Sequence, residues 1–178
     1  MPSRLTFSNR NVDIQEYAFH HNDVEKSLRL YFSAEATSFG VRFTSYTLAE
    51  VSDELGERLS ELDMTSALTV LTAVEAAFRI DYLQRCYCKK KDPISRAFRE
   101  LHKQKQATVS LENEIFDVWK THTTGSARII GDLRGAFKFR HWLAHGRYWV
   151  PQLGQKYDYV TIYTLATTVL NNFPLCCP

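Results

Sequence analysis

The sequence has few of the residues that break a chain, with only 7 glycines and 5 prolines among 178 residues. That scarcity excludes collagen-like repeats and low-complexity disorder. Apolar runs such as Ala76-Ala77-Phe78 are far shorter than the roughly 20 residues that span a membrane. The first ten residues contain no apolar segment of a signal peptide, so we expect a cytoplasmic protein without a membrane partner.

Cysteine is also scarce, and its spacing excludes the common zinc motifs. The four cysteines occur as Cys86-Tyr87-Cys88 and Cys176-Cys177. Neither pair has the two-residue spacer of a zinc knuckle, and neither has a matching second half. We therefore expect reduced thiols, no structural metal and no cofactor.

Charge is nearly balanced overall, at a net +2, but it is unevenly distributed. Acidic residues dominate 50–63, whereas Lys and Arg dominate 85–105 and 128–147. Clustered cations are typical of a surface that binds phosphates, which predicts a polyanion-binding face that includes Lys89, Lys90 and Lys91. The alternative is an ordinary solvated helix surface.

Most segments repeat apolar residues every three or four positions, which predicts an all-α bundle of about five to seven helices. We expect one helix over 48–62 and, after an N-cap at Asp63, a second, buried helix over 64–87. Two segments are ambiguous: 39–46 favours a hairpin or loop, and 157–163 also fits a strand. We expect a single domain over 1–178, in which residues 1–45 form an N-terminal extension that contains a helix over 12–32.

The densest group of reactive side chains lies at the end of a predicted helix from Ala127 to His145, which Gly146 is placed to terminate. It reads Arg140-His141-Trp142-Leu143-Ala144-His145-Gly146-Arg147-Tyr148-Trp149. Guanidinium groups can hold a phosphate, and histidine exchanges protons near neutral pH, so this mixture suits phosphodiester cleavage without a metal.

Other interpretations of this segment remain open. His141 and His145 have the spacing of two zinc ligands on a helix, although the metalloprotease version needs Glu where Trp142 stands. The cations would also complement the helix dipole. The two tryptophans fit the core or an interface better than a base-stacking surface. Two further pairs of Arg and His, Arg96/His102 and Arg134/His141, lie at separations along the sequence similar to that of Arg140 and His145.

The segment Arg140-His141-Trp142-Leu143-Ala144-His145 resembles the signature of the HEPN-domain family, helical bundles that include RNA-cleaving toxins and defence nucleases. That signature is Arg, four to six residues and then His, with a polar residue directly after the Arg. It lies on a late helix that one further helix follows, as predicted here. The buried helix carrying Glu75, Arg79 and Asp81 is similar to the family's second core helix, which often has a charged residue facing the site.

The resemblance implies an endoribonuclease in which Arg140 holds the phosphate, His145 transfers protons and His141 orients the substrate. Glu75 and Arg79 would support these groups from behind. We expect the RNA to contact Arg147, Tyr148, Arg134, Lys138, Lys89, Lys90 and Lys91.

The family also implies a homodimer with a composite cleft, because residues 140 and 145 lie about 140° apart around one helix. A cognate antitoxin or a sensor protein is a further expected partner. Some family toxins carry a Tyr two residues after the His, where Arg147 stands here, which argues against control by tyrosine nucleotidylation. The alternative function is a non-catalytic module that dimerises or binds a nucleotide or RNA.

Overall fold

The computed structural model describes residues 5–8 and 10–176, and these residues form α-helices and no strand, which confirms the all-α fold class. The α-helices are α1 (Ile14–Tyr31), α2 (Phe39–Arg42), α3 (Leu48–Tyr87), α4 (Pro93–Lys105), α5 (Phe116–His122), α6 (Ser126–Ala144) and α7 (Tyr159–Asn172). A 3-10 turn at Gln106–Thr108 and a π-helical turn at Leu111–Ile115 join α4 to α5.

The helix α3 lies at the centre of the bundle and packs against α1, α4, α6 and α7. Its apolar residues explain this position, since Val70, Val74 and Phe78 are fully buried. Aromatic rings from the surrounding helices meet Phe78 edge to face, with centroid distances of 5.1 Å to Phe116 and 6.3 Å to Trp119. Such edge-to-face pairs stabilise a core beyond the area they bury.

The predicted break at Asp63 is wrong, because α3 runs uninterrupted for 40 residues. No glycine or proline lies directly beside Asp63, so nothing in the local sequence ends the helix there. Asp63 faces α1 instead, with its Oδ1 atom 3.7 Å from Nε2 of His21. Asp is typical of helix N-caps, and the sequence does not indicate that the partner of Asp63 is a residue far along the chain.

Each of the two ambiguous segments contains helix. Residues 39–42 form the short helix α2, and non-helical residues follow over 43–46, where the expected loop is confirmed. Phe39 and Phe43 pack against each other there. The strand alternative for 157–163 is also wrong, because the Asp158 side chain accepts a hydrogen bond from the Thr161 N–H and starts α7 at Tyr159.

The N-terminal residues pack into the structure through α1. Ile14 joins the main core, and the buried ring of His21 stacks on Tyr159 of α7 at 3.7 Å. Further along, Phe32 packs with Phe43 and Val51 in a second, smaller apolar cluster. The helix α1 therefore connects the main core to a small cluster formed by its own C-terminal end, α2 and the start of α3.

A buried ion pair fixes the C-terminal segment against α3. The Nε atom of Arg85 donates to Asp81 at 2.7 Å, and a terminal nitrogen of Arg85 donates to the carbonyl of Pro174 at 2.7 Å. Asp81 also accepts the Cys176 N–H. Burial raises the pKa of the Asp81 carboxyl, and the bonds from Cys176 and Arg85 oppose that shift.

Arg85 belongs to the basic stretch 85–105, but its side chain is only 7% exposed and bonds to Asp81, Asp92 and Pro174, so it is not available to a phosphate. Of the helices described here, none is long and apolar enough to cross a membrane.

Candidate active site

The Arg–His motif lies in the last turn of α6, and the chain leaves that helix in a compact C-cap. The Gly146 N–H bonds to the carbonyl of Leu143, and the Arg147 N–H bonds to that of Trp142. This pair of bonds is a Schellman cap, which needs a left-handed residue after the helix. Gly146 supplies it with a φ of 81°, as the sequence predicted.

Arg140 reaches from α6 to the central helix. Its Nη2 atom lies 3.0 Å from Oε2 of Glu75, while Oε1 of the same carboxylate accepts a 2.8 Å bond from Nε of Arg79. Arg79 also donates to the carbonyl of Val109 at 3.3 Å. One partly buried carboxylate thus holds two guanidinium groups, and the structure brings together the three residues that the resemblance placed near one another.

The Nε atom of Arg140 is buried and has no hydrogen-bond partner within residues 5–8 and 10–176. The Arg140 side chain as a whole is 31% exposed. The guanidinium is therefore anchored on one side by Glu75 and still reaches the surface.

His141 and His145 are both exposed at the end of α6, with ring centroids 4.2 Å apart. His141 also contacts Trp149, at a centroid distance of 5.9 Å. Neither imidazole forms a hydrogen bond or an ion pair with another side chain in the part of the chain described. Both rings are therefore accessible to a substrate for proton exchange.

Arg147 is turned away from the predicted substrate surface. Its guanidinium binds Glu61 of α3 through two nitrogens, at 2.7 and 3.2 Å. Its backbone is left-handed, with a φ of 59°, which is uncommon for a residue with a side chain. The ion pair with Glu61 thus ties the loop after the motif to α3, and Tyr148 beside it is 84% exposed.

The other predicted RNA contacts on α6 differ in availability. Arg134 is engaged, donating to the carbonyl of Glu112 and lying 2.7 Å from Asp117. Lys138 is exposed and, with His141 and Trp149, lines a groove of about 270 Å³. Lys138 is therefore the available cation beside the motif.

Lys89, Lys90 and Lys91 are exposed in the turn between α3 and α4. Along α3 the turn begins about 18 Å beyond Glu75, at 1.5 Å per residue, so it is remote from the motif. The Lys90 ammonium contacts the Cys176 sulfur at 2.9 Å, and this contact raises the pKa of Lys90.

The sequence analysis missed Glu61 and Asp63, which lie on the motif side of α3. Both belong to the acidic stretch 50–63, whose pattern indicates only a solvent-facing helix surface. No local signal in the sequence pairs them with residues far along the chain.

The metal alternative gains no third ligand from the fold. Within the described ranges, no group of three or more His, Cys, Asp or Glu side chains is arranged to hold a metal ion. No protein-family model, curated protein or solved structure matches the chain.

Proposed function

We propose that this protein is a metal-independent endoribonuclease of the HEPN type, acting on cytoplasmic RNA as a toxin or in antiviral defence. The observation that carries the proposal is the placement of Arg140. Glu75 anchors its guanidinium, and the last residues of the same helix carry two accessible imidazoles, His141 and His145. A preorganised cation next to a proton-transfer group is what phosphodiester transesterification needs.

In this reaction His145 removes the proton of a ribose 2′-hydroxyl, and the 2′-oxygen attacks the adjacent phosphorus. The bond from phosphorus to the 5′-oxygen breaks, and the leaving oxygen takes a proton from His145, which the first step protonated. His141 orients the substrate. Arg140 stabilises the extra negative charge on the phosphorane oxygens. The products are a 2′,3′-cyclic phosphate and a 5′-hydroxyl.

The site requires a second copy of the chain in this proposal. Arg140 points to α3, whereas His145 lies exposed at the helix end, about 140° further around the axis. Two copies of α6 related by a twofold axis would bring the arginine of one chain to the histidine of the other. Two apolar residues close to the motif are available for such contact, with Tyr148 84% and Val150 89% exposed.

The remaining partners follow from the same proposal. The exposed lysines Lys89, Lys90 and Lys91 would guide RNA by their charge, at a distance from the cleavage site. A nuclease that attacks cellular RNA must be restrained, so we also propose a cognate antitoxin or a sensor protein as a partner.

The direct test is incubation of the purified protein with total RNA in EDTA, followed by mapping of the new ends. We expect cleavage with cyclic-phosphate and 5′-hydroxyl ends. Cleavage that requires a divalent ion would favour the His141/His145 metal site instead. Complete absence of cleavage at high enzyme concentration would leave the binding-module alternative.

One observation favours that alternative, a non-catalytic module that dimerises or binds a nucleotide or RNA. Two arginines of the motif segment already have carboxylate partners, since Arg140 binds Glu75 and Arg147 binds Glu61. Their charge is therefore partly neutralised before a phosphate binds. Expression in cells separates the two functions. A nuclease should impair growth, and the His145→Ala variant should be tolerated, whereas a binding module would be tolerated in both forms.

A further inference from the structure

A second groove, of about 510 Å³, borders the motif helix next to the His141 groove. Its apolar lining includes Leu59 and Met64 of α3, Trp142 of α6 and Leu153 of the following segment. This volume is within the range of about 300–1,000 Å³ typical of small-ligand sites. Trp142 is the partly exposed member of a row of stacked rings, 5.8 Å from Phe139.

This groove is continuous with the motif surface. Pro151 and Leu153 line both it and the groove that contains Lys138 and His141. Trp142 lies within the motif, and its indole N–H donates to the carbonyl of Trp149 at 2.7 Å, which fixes the ring. An RNA strand that crosses the segment 151–153 would therefore place two neighbouring nucleotides in the two grooves.

Two charged groups in the aromatic groove have complementary hydrogen-bonding character. The Asp63 carboxylate is 48% exposed, and its Oδ1 atom lies 3.7 Å from Nε2 of His21, whose pKa is lowered by burial. A carboxylate only accepts hydrogen bonds. The Lys156 ammonium lines the same groove and only donates. Asp158 also lines the groove. Hydrogen bonds from Thr161 at the start of α7, and then the charge of Lys156, lower the pKa of Asp158.

Among the four RNA bases, guanine matches this pair of groups. Its N1–H and N2–H groups are adjacent donors that fit one carboxylate, and its O6 and N7 acceptors fit a lysine. Adenine and cytosine place an acceptor beside their exocyclic amine, and uracil has a single N–H between two carbonyls. Unpaired bases in RNA are recognised in this way, by their edges and by packing against aromatic side chains.

We propose that this groove binds an unpaired guanine of the RNA, next to the bond that is cut. Asp63 is the specificity-determining residue, and Lys156 and Trp142 complete the site. The position next to the cut bond rests on the proposed ribonuclease function, whereas recognition of guanine does not.

The test is titration of the full-length protein with GMP, AMP, CMP and UMP, followed by tryptophan fluorescence and calorimetry. We expect GMP to bind at least about 10-fold more tightly than the other three, since a bidentate contact discriminates by about 10- to 100-fold. Asp63→Asn should remove the preference, and Lys156→Met should weaken it. Asp53→Asn, exposed on the same helix outside the groove, should bind as the wild type.

Leu153→Trp, which fills the groove, should weaken binding of all four nucleotides, and thermal unfolding should show that each variant is folded. Equal binding of the four nucleotides, or an unchanged preference in Asp63→Asn, would overturn the proposal. If the protein cleaves RNA, the ends made by Asp63→Asn should lose the enrichment of guanine that the ends made by the wild type show. If it binds GMP selectively but never cleaves RNA, the ribonuclease function fails and the guanine site remains.

Discussion

The guanidinium of Arg140 lies 3.0 Å from the carboxylate of Glu75, which joins the motif helix to the central helix of the bundle. The same carboxylate binds Arg79, so the charge of Glu75 is shared between two cations. This arrangement fixes the position of Arg140 before any substrate arrives.

Removing the imidazole of His145 should abolish RNA cleavage without unfolding the protein. General acid–base catalysis contributes about 100- to 10,000-fold, so His145→Ala should lose at least that order of rate. Arg140→Ala should lose about 100- to 1,000-fold, through the loss of charge stabilisation in the transition state. The control is His102→Ala, because His102 bonds to Tyr82 on α3 and lies outside the motif. Normal cleavage by His145→Ala, measured from end-labelled RNA, would contradict the assignment.

Neutralising Glu75 should both destabilise the fold and slow cleavage. Glu75→Gln keeps the shape of the side chain but leaves two guanidinium groups without their counter-charge. We expect the free energy of unfolding to fall by about 1–3 kcal/mol, as measured in urea. Glu100→Gln should change it by less than about 0.5 kcal/mol, because that residue forms an exposed pair with Lys103. Equal effects of the two substitutions would show that Glu75 has no special role.

Replacing Lys89, Lys90 and Lys91 together by Ala should weaken RNA binding and flatten its salt dependence. Each lost phosphate contact on a single strand lowers the slope of log K against log salt by about 0.7, so the triple variant should lose about 2. Thermal stability should change little, because these side chains are exposed. Lys120→Ala, which is exposed on α5, serves as the control. An unchanged slope would mean that the lysine turn is a solvated surface.

A dimer should form through the end of the motif helix. Light scattering should give twice the chain mass of 20.6 kDa at micromolar concentration. Val150→Asp should shift the protein to the monomer, because Val150 is 89% exposed beside the motif. Val41→Asp is a matched control, since Val41 is 86% exposed on α2. A wild-type protein that stays monomeric would contradict the composite site.

The buried His21 should make the protein less stable in mild acid. Burial lowers the pKa of His21, although Asp63 and Glu25 oppose this shift. The unfolded chain, in which histidine titrates near pH 6.5, therefore binds the proton more readily than the folded protein. The neutral His21 ring therefore adds to the free energy of unfolding above about pH 6.5, and this contribution is lost as the pH falls below that value.

Urea unfolding at pH 7.5 and 5.5 checks this prediction by comparing the wild type with His21→Gln. The variant should lose part of the pH dependence, whereas His122→Gln, exposed at the end of α5, should retain it. Identical pH dependence in His21→Gln and the wild type would show that His21 does not titrate on unfolding in this range.

The sequence by itself determined the helices and several of their ends. Periodic apolar residues predicted the buried part of α3, and Gly146 marked the end of α6 as the structure has it. These features are local, because a helix depends on neighbours three or four residues apart and a cap on the next few backbone groups. For the same reason the sequence located the Arg–His motif at the end of α6.

Only the tertiary structure decided which of these side chains are available to a substrate. Arg134, Arg147 and Arg85 are equivalent cations in the sequence, yet each is engaged by a carboxylate. Asp63 resembled a helix cap and instead lines a groove beside the motif. Pairing between distant residues depends on the angles and positions at which helices pack, and periodicity defines the apolar face of a helix without specifying its neighbour.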